Sequence, residues 1–288
     1  MSVQEQTDPS EVRGRVRAMW ASVAEEWGQH ADEGDARVAR VTERMLAGTD
    51  PRPGERVLEL AAGAGGLGLA VAALVGRDGE VVVSDAVAEM VAIAARRADE
   101  RGLDNVCTAM LDVEAIDEPD RSFDVVLCRE GMMFALDPAA AAREIARVTR
   151  PGGRVAVSVW GPPAQNPWLG LAAAALSAEL GRQVPPPGGP GPFALADAVR
   201  LRALFVDAGL EDIAIEEVTC PLRAPSFEAW WARTSTIGGP LVRVIAGLSD
   251  DVRAAVVSRL REEVRRFRTP EGVELPGLVL LLSARRPS

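Results

Sequence analysis

The chain has 288 residues, with 32 basic and 42 acidic side chains, a formal net charge of −10 and 48 % hydrophobic residues. That balance suits a globular protein and works against binding a phosphate backbone or an anionic lipid surface, each of which needs a basic face. Neither lysine nor tyrosine occurs and His30 is the single histidine, which excludes a Walker-type phosphate loop and a Schiff-base enzyme and leaves a Ser-His-Asp hydrolase only His30, with no G-x-S-x-G turn.

From Ser10 to about Ala47, apolar residues recur at spacings of three and four (Val12, Val16, Met19, Trp20, Val23, Trp27, then Val38, Val41, Met45), which predicts two helices. The turn Asp50-Pro51-Arg52-Pro53-Gly54 ends them. A strict alternation follows: strands at Val57–Leu60, Val81–Ser84, Val106–Met110, Phe123–Cys128 and Arg154–Trp160, with helices at Gly68–Val75, Val87–Arg101 and Pro138–Val148. Continuous apolar strands in this order predict a parallel sheet covered on both faces, a doubly wound α/β three-layer sandwich. Beyond Trp160 the expectation is a helix at Leu169–Leu180, a Pro/Gly loop at Pro185–Pro192, a helix at Asp197–Ala208 and a strand at Ile213–Thr219. One helical stretch at Ser226–Arg268 and a last strand at Leu278–Ser283 complete a mostly parallel seven-stranded sheet.

Cys107, Cys128 and Cys220 are odd in number and far apart, which fits neither a disulfide framework nor a zinc site. No metal is expected, and the cysteines read as small core residues in a reducing compartment. The opening MSVQEQTDPSEV has neither the basic nor the apolar region of a leader, and no apolar run reaches the ~18 residues of a membrane span. The expected setting is the cytoplasm, with no membrane and no nucleic-acid partner.

The strongest local signal is Val57-Leu58-Glu59-Leu60-Ala61-Ala62-Gly63-Ala64-Gly65-Gly66-Leu67-Gly68, a strand entering a glycine-rich turn and then a helix. Such a turn lets backbone amides approach a ligand. Asp85 ends the second strand, where a carboxylate can accept the hydroxyls of an adenosine ribose. Those two features alone suit a nicotinamide dinucleotide as well as S-adenosylmethionine. Glu59 separates them: a carboxylate is misplaced beside a diphosphate and favourable near an ammonium and a sulfonium.

Glu59 to Gly65, Asp85, Leu111-Asp112-Val113, Phe123 to Leu127 and Arg147-Val148-Thr149-Arg150-Pro151-Gly152-Gly153 together resemble a class I S-adenosylmethionine-dependent methyltransferase with the Rossmann-like methyltransferase fold. The chain is most similar to the small-molecule branch that includes the ubiquinone/menaquinone-biosynthesis C-methyltransferases, well over Val57–Trp160 and in outline elsewhere. Ala61 departs from the pattern, where many members carry the first glycine of the turn.

The resemblance implies that Glu59 orients the cofactor's ammonium through the turn, that Ala61, Gly63 and Gly65 let the backbone pass close to it, and that Asp85 holds the ribose. Ala86 and Met90 would pack on the adenine, Asp112 and Val113 would read its edge, and Arg129 would lie near the methionine part. A single methyltransferase domain over 1–288 is expected, with a helical cap at 10–50, a cofactor-binding core at 51–160 and a C-terminal part at 161–288 holding a helical substrate-cap insertion at about 222–268.

The acceptor site should lie beyond the carboxyl ends of the strands. Its candidate wall comprises Trp20, Trp27, Met132, Met133, Phe134, Trp160, Asn166, Trp168, Trp230, Trp231 and Arg233, a mostly aromatic and sulfur-rich set suited to a flat or apolar small acceptor. Of the adjacent pair Trp230 and Trp231, one ring is expected in the core and the other near the pocket. His30 and Glu130 are the candidate general bases. The leading reading is methyl transfer to O, N or C of a small, cyclic or apolar metabolite; the alternatives are a nicotinamide-dependent oxidoreductase and a non-catalytic adenosyl-ligand binder. A homodimer is compatible with all three.

Overall fold

The computed structural model describes residues 8–186 and 188–288; the leader reading at 1–7 and the loop reading at Pro187 lie outside the described residues. Four short helices open the chain where periodicity predicts two: α1 (Pro9–Ala21), α2 (Ala24–Gln29), α3 (Ala31–Arg37) and α4 (Ala39–Thr49). The breaks fall at Ser22–Val23, His30 and Val38. They are invisible to periodicity because Met19, Val23, Ala24, Ala31, Val38, Val41 and Met45 all stay buried as the segment bends over the sheet.

The alternation then runs β1 (Arg56–Leu60), α5 (Gly66–Val75), β2 (Glu80–Asp85), α6 (Ala88–Glu100), β3 (Val106–Met110), β4 (Phe123–Arg129), α7 (Pro138–Val148) and β5 (Thr149–Trp160). It continues with α8 (Pro167–Leu180), α9 (Ala198–Asp207), β6 (Glu211–Thr219), β7 (Leu222–Ala224), α10 (Phe227–Ile237), α11 (Leu241–Ala246), α12 (Asp250–Val264), β8 (Arg268–Thr269), β9 (Gly272–Leu275) and β10 (Leu278–Arg285). The main sheet has seven strands in the order β3-β2-β1-β4-β5-β10-β6. Strands β1 to β5 are parallel, while β10 is antiparallel to both neighbours. Val57, Leu58 and Leu60 of β1 and Val125 to Cys128 of β4 are fully buried, as strands covered on both faces must be.

The chain order reverses between β1 and β4, and in such sheets the crevice beyond the strand ends at that switch point is where ligands bind. The Ser226–Arg268 stretch divides into three helices at Gly238–Pro240 and Gly247–Ser249. A second sheet, β7-β9-β8, stands beside them. Its strands of two to four residues are too short for an alternating pattern to register. α8, α10–α12 and this small sheet share their own core around Leu176, Trp230, Val256 and Leu260. Among the described residues, no helix is long and apolar enough to cross a membrane.

Candidate active site

At the end of β1 the backbone enters the left-handed region three times, at Ala61 (φ 49°), Gly63 (φ 55°) and Gly65 (φ 80°). Ala61 therefore occupies a conformation that costs a non-glycine residue about 1 kcal/mol. Its methyl group fits because the facing residue is Gly131, where an added Cβ would stand 2.3 Å from that of Ala61. Gly65 and Gly68 serve packing: a Cβ on Gly65 would meet that of Ala94 at 2.9 Å, and one on Gly68 would meet Val83 at 2.5 Å. Gly63 donates its N–H to Asp85 Oδ2 at 2.8 Å.

A cavity of about 290 Å³ opens above this turn, near the lower bound of the ~300–1,000 Å³ usual for small-molecule sites. Ala61, Ala62, Ala64 and Gly66 line it, whereas Glu59, Gly63 and Gly65 lie behind its wall. Glu59 is buried, and its Oε2 accepts the Gly68 N–H at 2.7 Å. It fixes the turn from beneath, where any action on a ligand runs through the backbone. Burial pushes its carboxyl up to about 7 against the pull of Arg129 and the Gly68 N–H. Asp85 is on the wall, with Oδ1 accepting from Val87 N–H at 3.0 Å. Burial raises its carboxyl even though backbone N–H groups favour the ionised form. Ala86, Val87, Met90, Leu111, Asp112 and Val113 continue the wall. Asp112 is partly engaged, its Oδ2 accepting from Arg17 of α1 at 2.7 Å.

The N-terminal helices are fastened over this cavity by a chain of ions that the sequence did not signal. Asp35 of α3 accepts from Arg97 at 2.7 Å and from Arg129 at 2.8 Å, and Arg97 also donates to the Ala64 carbonyl at 2.6 Å. The Asp35 carboxylate rests on the first residue of α5, 1.8 Å from where a Cβ on Gly66 would be. On the opposite side, Arg233 of α10 reaches Glu33 at 3.4 Å, and Trp20 packs on Gly239. The two helical additions thus meet across the opening.

His30 and Glu130 both line the cavity. The His30 Nδ1 lies 3.0 Å from the Glu26 carbonyl, a contact that places the proton on Nδ1 and leaves Nε2 as the acceptor. Glu130 has φ 50°, and its Oε1 accepts from Ser158 Oγ at 2.8 Å. Burial raises its carboxyl, opposed by Arg129, Ser158 and Arg37. Trp20, Trp27, Met133, Phe134, Trp160 and Trp168 share the same wall. Trp20 meets Phe134 edge-on at 5.0 Å and Trp27 at 5.6 Å, and Trp160 meets Trp168 at 4.8 Å.

Four expected wall residues, Met132, Asn166, Trp230 and Trp231, lie elsewhere, Met132 fully buried in the main core. Asn166 is fully buried and bonds the backbone of Gly161 and Leu278 while accepting the Trp168 indole N–H at 3.0 Å. Its amide is spent on the junction of β5 and β10, and it positions Trp168 without reaching the cavity. Trp231 packs against the second core, and Trp230 is the fully buried member of the pair. From α10, Arg233, Thr234 and Ile237 face the cavity instead, because the helix turns Trp231 away from it. Arg233 was expected here; Arg37 and Thr234 were not, and nothing in a sequence pattern distinguishes those two from surface residues.

The residues fit an adenosylmethionine group better than a dinucleotide. Asp85 keeps acceptor capacity on the wall, beside an apolar slot of Val87, Met90 and Leu111. A diphosphate needs the N-terminus of α5 free, yet the Asp35 carboxylate sits there. The comparisons agree. A family profile described as a methyltransferase domain matches residues 51–179. The ubiquinone/menaquinone biosynthesis C-methyltransferase UbiE of Cupriavidus metallidurans is 32 % identical over 180 residues, covering 58 % of this chain and 74 % of the relative. UbiE of Cellvibrio japonicus is 30 % identical over 161 residues, and the match spans 55 % of this chain and 65 % of the relative's length.

Among solved structures, the YcgJ protein of Bacillus subtilis superposes with a TM-score of 0.59 at 21 % identity, covering 87 % of this chain and 99 % of that one. The [4+2]-cyclase SpnF does so with a TM-score of 0.56 at 20 % identity over 93 % and 96 % of the two chains. These last two show the fold alone. None of these relatives supports the nicotinamide alternative; with the turn, Asp85 and the sheet order in place, the chain belongs to the class I S-adenosylmethionine-dependent methyltransferases.

Proposed function

We propose that the protein moves the methyl group of S-adenosylmethionine to O, N or C of a small, cyclic or apolar metabolite by in-line displacement. One observation carries this reading: a single cavity joins the turn and Asp85 to the aromatic wall and to Glu130. When bound, S-adenosylmethionine supplies an electrophilic methyl group on a positively charged sulfonium, and alignment of the acceptor with it is the main source of rate. Asp85 takes the ribose hydroxyls, Met90, Ala86 and Val113 enclose the adenine, and Asp112 reads its edge under the cover of Arg17. Arg129 borders the methionine end, and Glu59 balances positive charge from beneath the turn.

Trp20, Phe134, Trp160 and Trp168 hold the acceptor flat and exclude water. For an acceptor that must lose a proton, Glu130 receives it on Oε2, since Oε1 is engaged by Ser158. His30 is the second choice, its side chain being 35 % exposed against 13 % for Glu130. The caps at 10–50 and about 222–268 enclose the acceptor, and the acidic surface favours a cytoplasmic setting without nucleic acid or membrane partners. A homodimer is compatible with this arrangement.

The test is transfer of label from methyl-labelled S-adenosylmethionine into a low-mass product with a panel of small cyclic acceptors. Glu130→Gln should lower kcat by roughly 10²-fold for O and N acceptors. It should also abolish the rise of rate with pH, because a base with a raised pKa becomes active only as pH climbs through it. Label confined to macromolecules, or full activity in Glu130→Gln, would contradict the reading.

A further inference from the structure

Arg37, the last residue of α3, stands apart from the other arginines of the cavity. Its Nε and Nη2 are buried and have no hydrogen-bond partner among the described residues. The guanidinium carbon lies 4.0 Å from the Trp168 ring centre and 4.9 Å from that of Trp160. The two indoles therefore compensate the cation through their faces but cannot accept its N–H groups, and buried polar groups of this kind are nearly always satisfied in a working state.

Its surroundings offer no internal partner. Glu130 is turned to Ser158 and Arg129. Arg233 is a second cation on the same wall, itself paired with Glu33 at 3.4 Å, and the Cys220 thiol, which donates to the Arg37 carbonyl at 3.5 Å, is a weak acceptor beside the guanidinium. The position is equally informative. Trp160 ends β5, which β4 separates from β1 and the cofactor turn. The indoles that Arg37 stacks on therefore belong to the β5 end of the site, two strands from the cofactor turn.

Building on the methyltransferase reading, we propose that the acceptor is a planar, apolar molecule bearing an anionic oxygen, with a carboxylate as the form that fits a guanidinium fork, and that Arg37 selects it. The ring system lies against the wall that Trp160 and Trp168 extend, and the carboxylate takes the two free donors as a bidentate pair. Arg233 is already paired with Glu33, so a neutral analogue leaves the Arg37 fork as the cation without an acceptor.

The test is calorimetric titration of the protein saturated with S-adenosylhomocysteine, using 2-naphthoate and benzoate against 2-naphthamide and benzamide. The expected result is a preference for the carboxylates of about tenfold or more. Arg37→Met should erase that preference while leaving S-adenosylhomocysteine affinity within about twofold and the melting temperature unlowered, since it removes an unpaired buried charge. Arg37→Lys should retain part of the preference.

Equal binding of acid and amide, binding of neither, or a preference that survives Arg37→Met would overturn the proposal. Loss of S-adenosylhomocysteine binding in a folded Arg37→Met protein would also overturn it and assign the guanidinium to the cofactor's carboxylate. Failure of the unmutated protein to bind S-adenosylhomocysteine would instead overturn the methyltransferase reading on which the proposal rests.

Discussion

Ala61 and Gly131 are a matched pair: a methyl group stands in a left-handed turn position, and the residue facing it lacks one. Gly131→Ala should cost about 2 kcal/mol through overpacking, and adding Ala61→Gly should recover most of that loss. Denaturant melts of the two single variants and the double variant measure the coupling; additive losses would contradict the pairing.

Glu59 gives a second test at this scale. Its carboxyl binds a proton more tightly in the folded chain, pushed up to about 7 by burial. The stability that this contributes is present in full below the ordinary pKa of an unfolded glutamate, ~4.3, and is lost as pH rises through about 7. Glu59→Gln, which still accepts the Gly68 N–H, should flatten the decline between those limits, a change on the order of 3–4 kcal/mol. An unaltered pH profile of unfolding would show that Glu59 is not the group responsible.

At the scale of elements, α3 is the piece on which both halves of the site depend. It begins beside His30, carries Asp35 onto the start of α5, and ends in Arg37 beneath the indoles. Gly66→Ala should displace the Asp35 carboxylate and leave Arg97 and Arg129 without it, at a cost of about 3 kcal/mol or more. Limited proteolysis should then cut within 22–38 faster than in the parent protein, and unchanged protection there would rule out the anchoring role.

None of this was legible in the sequence, because the helices of this segment keep one apolar face in phase across their breaks and the ion pairs join residues tens of positions apart. The same limit explains Asn166 and Trp231. Residue type suggested a wall, while the junction of β5 with β10 claimed the first and the second core claimed the other. Conversely, β1 and β4 were readable to within about two residues, since strands covered on both faces must be continuously apolar; the edge strand β3 and helix α7 were readable from their spacing in the alternation.

For the molecule as a whole, the doubly wound order was readable from the alternation of strand and helix, and the site's position followed from the reversal of strand order at β1 and β4. The glycine turn, Asp85 and the residues around Met90 and Leu111 came out of the sequence together because they belong to one contiguous βαβ region. From the wall built by α3, α8 and α10, Trp168 and Arg233 came out of the sequence by residue type, while Arg37 and Thr234 did not, since those elements are brought together only by the folded chain. Against a net charge of −10 for the chain, the cavity wall balances five arginines (Arg13, Arg17, Arg37, Arg129, Arg233) with five carboxylates (Asp35, Asp85, Asp112, Glu114, Glu130), so it does not share the acidity of the whole protein.

Calorimetric titration of the purified protein with S-adenosylmethionine, S-adenosylhomocysteine and a nicotinamide dinucleotide shows whether this cavity takes S-adenosylmethionine. Micromolar, one-to-one binding of both adenosyl ligands and none of the dinucleotide is expected. Binding of the dinucleotide with no response to either adenosyl ligand would contradict that assignment.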